Sequence, residues 1–69
     1  MKLSARNVLK GKVVSVKKGV TTAHVKIEIG RGAVVTASIT MEAVRELKLK
    51  VGDRAAAIVK ASDVIVGKE

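Results

Sequence analysis

Two short segments of this sequence set a cation beside hydroxyl and backbone donors: Ser4-Ala5-Arg6-Asn7 near the start and Lys60-Ala61-Ser62-Asp63 near the end. A tetrahedral oxyanion needs donors converging from several directions, and guanidinium, ammonium, hydroxyl and free backbone N–H groups are the types that supply them. Thr40 adds a third position, because it stands where it can cap a helix, and the first turn of a helix presents unpaired N–H groups. Each position has a plainer reading as well. Arg6 and Lys60 can belong to a solvated basic face, and Thr40 can be a cap and nothing more.

Other chemistries find no purchase. The chain has no Cys and a single His, so neither a thiol nucleophile nor a four-ligand zinc site can be assembled. No Ser lies in a Gly-x-Ser-x-Gly turn, and neither phosphate-loop glycine pattern occurs; Gly30-Arg31-Gly32 reads as a hairpin turn. His24 falls mid-strand on a polar face, where a solvated side chain is expected. The chain is therefore read as a binding protein and not an enzyme, with no metal-ligand cluster and no catalytic cofactor.

The elements that must position these residues are mostly β. Val, Ile and Thr make up 22 of the 69 residues, and their branched Cβ atoms suit a pleated, half-buried surface. The clearest strand is 23–29, where Ala23, Val25, Ile27 and Ile29 alternate with His24, Lys26 and Glu28. Upstream, 7–17 reads as a long strand with Gly11 marking a bend or bulge, followed by a turn at Lys17-Lys18-Gly19. Downstream of the paired glycines, 33–39 completes a three-strand meander. Thr40 then caps a helix over 41–48, with Val44 and Leu47 sharing its apolar face. After a turn at Val51-Gly52-Asp53, a fourth strand is expected over 54–60 and a fifth over 63–66. The expected fold is a five-stranded OB-like barrel with one short helix between strands 3 and 4, built as a single domain over 1–69.

Composition adds a constraint on assembly. At 69 residues, with no aromatic residue and no Cys, the core consists of small aliphatic side chains and has no covalent staple. Self-association is the remaining way to bury enough surface, so a homo-oligomer is expected. Met1 to Arg6 is polar and basic with no apolar leader segment, and no stretch is long enough to span a bilayer, which points to the cytoplasm. The formal net charge of +8 favours anionic partners without naming one. An alternative reading is a nucleic-acid-binding OB-like module, but base stacking on aromatic side chains has no residue to supply it here, leaving backbone electrostatics alone.

Five segments together carry a more specific likeness. Ser-Ala-Arg-Asn at 4–7, Lys-Gly-Lys-Val-Val at 10–14, Lys-Lys-Gly-Val-Thr-Thr-Ala at 17–23, Ser-Ile-Thr at 38–40 and Lys-Ala-Ser-Asp-Val at 60–64 resemble a molbindin. This is the Mop family of small molybdenum-pterin-binding proteins, related to TOBE domains, and the likeness extends from Leu3 to about Gly67. It implies molybdate or tungstate as bound ligand, held between subunits of a strand-exchanged dimer that builds a hexamer as a trimer of dimers. It implies a role in molybdenum storage and homeostasis. By matching position, Arg6 and Lys60 would supply charge, Ser4, Thr40 and Ser62 hydroxyls, and Ala5, Asn7 and Ala61 backbone or positioning contacts. Val20 would lend an N–H to a second class of site.

Overall fold

The computed structural model describes residues 4–69; the part of the N-terminal reading that rests on Met1 to Leu3 lies outside them. Four strands, β1 (Asn7–Lys18), β2 (Thr22–Gly30), β3 (Ala33–Thr40) and β4 (Arg54–Val59), form one antiparallel sheet in the order β3-β2-β1-β4. Helix α1 (Met41–Leu47) lies between β3 and β4, and a single 3-10 turn follows at Ala61–Asp63. The sheet curls into a half-barrel whose concave side carries the apolar half of each strand.

The alternation read in 23–29 is what the sheet uses. Ala23, Val25 and Ile27 are buried while His24, Lys26 and Glu28 are exposed. Val25 and Ile27 join Val13 and Ala57 in a core bordered by Leu9, Val16, Val35 and Leu49. A second cluster, Ala23, Met41 and Val44, seats the helix on one end of the half-barrel. Thr40 caps that helix as expected, accepting from the Ala43 N–H at 3.0 Å, and Lys48 closes it in the left-handed region at φ 51°. The helix therefore ends one residue earlier than the sequence suggested. Its buried pair is Met41 and Val44, one turn apart; Leu47 is left largely exposed.

The break in β1 lies elsewhere than at Gly11. Pairing with β2 slips between Val13 and Ser15, so Val14 is the bulged residue. Beside the bulge, Val13 extends the ladder with β4 into the loop before it: its N–H donates to Asp53 O, and its carbonyl accepts from Gly52 N–H, both at 2.8 Å. Gly11 is required for a different reason, since a Cβ there would collide with the Glu28 carbonyl on the neighbouring strand. Of the two glycines in the 30–32 turn, Gly32 alone takes a positive φ.

The expected fifth strand is absent from the described residues. Residues 64–69 hold no regular structure, and Val64, Ile65 and Val66 are 52%, 94% and 88% exposed. The apolar pattern is that of a strand, but a strand exists only when paired, and none of the described residues pairs with it. As a result the half-barrel does not close: β3 and β4 remain separate edges. Between them the concave side forms an open apolar groove of about 360 Å³, reached by Ile27, Val35, Ile39, Leu49, Ala55 and Ala57.

Candidate oxyanion site

The two cation-bearing segments lie near opposite ends of the sequence, and the fold places them side by side. Asn7, the first residue of β1, pairs with Val59, the last of β4, and its Nδ2 donates to Val59 O at 3.1 Å. The chain immediately before this pair carries Ser4, Ala5 and Arg6; the chain immediately after it carries Lys60, Ala61 and Ser62. Asn7 is thus the rivet between the segments, a use for its amide that is positional.

The second segment is shaped by the short 3-10 turn. Lys60 takes extended dihedrals just before it, Asp63 N–H donates to Lys60 O at 2.9 Å, and Val64 N–H donates to Ala61 O at 3.3 Å. These bonds use the N–H groups at the end of the turn, not those of Ala61 and Ser62. Among the described residues no side-chain hydrogen bond engages Ser4, Arg6, Lys60 or Ser62. Ser4, Arg6, Lys60, Ala61 and Ser62 are exposed, while Ala5 and Asn7 are half-buried. One chain therefore presents a cluster of uncommitted donors with two cations, open to water on one side.

Thr40 and Val20 do not join this cluster. Thr40 pairs with Thr22 at the far end of β2, and Met41 N–H bonds Thr21 O at 2.9 Å, beside the β1–β2 turn that holds Val20. That turn follows Lys18, the last residue of a twelve-residue strand that begins at Asn7. Most of the length of β1 thus separates the two groups, so the candidate residues fall at opposite ends of the sheet. The Thr40 hydroxyl is already accepting the capping bond, and the side chain of Val20 is almost fully exposed at 96%. Sequence adjacency gave no sign of this split, because it depends on which strands pair.

Residues 3–66 match the TOBE domain family. A probable molybdenum-pterin-binding protein of Haemophilus influenzae is 54% identical over the full length of both chains. The chain belongs to the molybdenum-pterin-binding (Mop) group of TOBE proteins. Among solved structures, a molybdate-binding protein from Sporomusa ovata superposes with a TM-score of 0.92 at 37% identity, covering 99% of this chain and all of that one. The cytoplasmic molybdate-binding protein ModG, in a form with molybdate bound, superposes with a TM-score of 0.90 at 45% identity; the match covers 94% of this Mop chain and 46% of ModG. These Mop relatives are named for what they bind, not for a reaction.

Proposed function

We propose that this protein binds molybdate, and tungstate by the same chemistry, through Arg6 and Lys60 at a boundary between copies of the chain. It would serve as a cytoplasmic store that buffers the anion, and not as an enzyme. The observation that carries the proposal is the pairing of Asn7 with Val59, which sets the donor segments 4–7 and 60–62 next to each other. The relatives named for molybdate support the choice of anion.

An interface is needed for a physical reason. Two exposed cations hold a dianion only weakly in water, where ions screen them and water competes for every donor. Covering the cluster with a second protomer desolvates it and adds donors that one chain lacks, including those around Thr40 and Val20. The same contact meets the chain's other need. The exposed tail with Ile65 and Val66, the open groove and the two free sheet edges are complementary parts, and a tail added to a neighbour's edge would exchange strands and close a barrel. A strand-exchanged dimer and a hexamer of three dimers would fit this use of the tail.

Binding across a boundary couples ligand to assembly, so added molybdate should raise the melting temperature and favour the oligomer by mass action. Isothermal titration of the wild-type protein with molybdate, tungstate and sulfate tests the proposal. Saturable binding of the two metal oxyanions, well above that of sulfate, is expected. Equal binding of all three, or none, would refute it.

A further inference from the structure

The solvent-facing side of the sheet holds a second concentration of charge, apart from the end where Arg6 and Lys60 lie. Lys10, Lys12, Lys17, Lys26 and Arg54 are all exposed on it, together with His24, and Glu28 is the one carboxylate on its strands. The register makes the arrangement specific. Lys12 stands directly opposite Arg54 on β4, Lys10 is two residues along and so diagonal to Arg54, and Ala56 fills the fourth corner opposite Lys10. Like charges directly opposite each other destabilise a sheet. Glu28, opposite Lys12 on β2, offsets one of the three cations. Among the described residues no ion pair involves any of these side chains, and the one within bonding distance is Lys50 with Asp53, in the loop before β4.

We infer that this face binds the phosphate backbone of duplex nucleic acid without regard to sequence. The strand geometry suits a linear array of charges: Lys10 and Lys12 are separated by two residue steps, roughly 6.8 Å, the distance over which each strand of a duplex advances about two phosphates along the helix axis. Single strands are the poorer partner, because the chain has no aromatic residue on which a base could stack. An anionic membrane surface is poorer too, since adsorption there draws on Trp, Phe or Leu in a continuous apolar stripe. Of the apolar residues of this face, Val8 and Ile58 stand opposite each other, Val14 and Val34 lie apart from them, and none is an aromatic or Leu. The backbone contacts carry no base readout, so the interaction is electrostatic and salt-dependent.

The test is anisotropy of a labelled duplex of scrambled sequence titrated with the assembled protein between about 50 and 200 mM salt. Binding should weaken with salt, and the double variant Lys10→Gln/Lys12→Gln should lower affinity about tenfold and flatten the log–log salt slope by about 1.8, at 0.9 per lost phosphate contact. Molybdate binding and oligomeric state should not change in that variant, and its melting temperature should hold or rise as the repulsion with Arg54 is relieved. The control Arg45→Gln/Lys68→Gln removes the same charge elsewhere and should retain most of the affinity. Absence of duplex binding by the wild type, equal losses in the two variants, or tighter binding to vesicles of anionic phospholipid than to the duplex would overturn the inference.

Discussion

The two ends of the half-barrel are finished to different degrees. At the helix end, Met41 and Val44 seal the core, Thr40 and Lys48 cap the helix, and the loop to β4 is tied back onto Val13 by two backbone bonds. At the other end, where β1 begins and β4 stops, the chain runs on into an exposed apolar tail and exposed donors. The first end satisfies its own groups and so contributes to folding. The second leaves its groups unsatisfied, and that is the condition for binding something else. Stability and function are divided along the length of β1.

Substitutions should separate these ends. The largest effect is expected in the sheet that joins them: Gly11→Val drives a side chain into the Glu28 carbonyl, where neither backbone can yield without breaking the ladder. It should destabilise by at least about 3 kcal/mol, the upper range of overpacking, and chemical denaturation of the soluble fraction checks it. At the finished end, Met41→Ala should cost about 2–5 kcal/mol in the same measurement. At the open end, Arg6→Ala or Lys60→Ala should leave the melting temperature of the ligand-free protein unchanged and weaken molybdate binding by about 1.5–3 kcal/mol. Retained affinity in both variants, measured by calorimetry, would erase the difference drawn between the ends. Thr40→Ala should lose about 1 kcal/mol of stability through the cap, and Thr40→Ser should restore it. Lys50→Ala, which removes an exposed pair with Asp53, should change stability by no more than about 0.5 kcal/mol.

How far these features could be read in the sequence follows the range of the interactions behind them. The alternation in β2 and the cap at Thr40 are local, and both stand where the pattern put them. The bulge at Val14 leaves no chemical mark, since it reflects how β1 satisfies β2 and the loop before β4 at once; Gly11 drew attention because it is a glycine, yet it answers to the neighbouring backbone. Spacing sets Leu47 on the same apolar face as Val44, but the seven-residue helix buries only Met41 and Val44, against Ala23, and leaves Leu47 exposed. The tail at 63–66 has a strand's composition and no pairing partner among the described residues, which its own pattern could not reveal. Both donor segments were visible in the sequence. Their adjacency was not, because it rests on pairing across 52 residues.

Everything in the proposed site depends on whether Arg6 and Lys60 of one chain close on one anion beneath a second copy. Anomalous scattering from crystals grown with molybdate measures this directly. A molybdenum peak is expected at a protomer boundary, with the Arg6 guanidinium and the Lys60 ammonium of one chain within hydrogen-bonding reach of its oxygens and a neighbouring copy covering them. A peak elsewhere, with both side chains turned into bulk water, would contradict it.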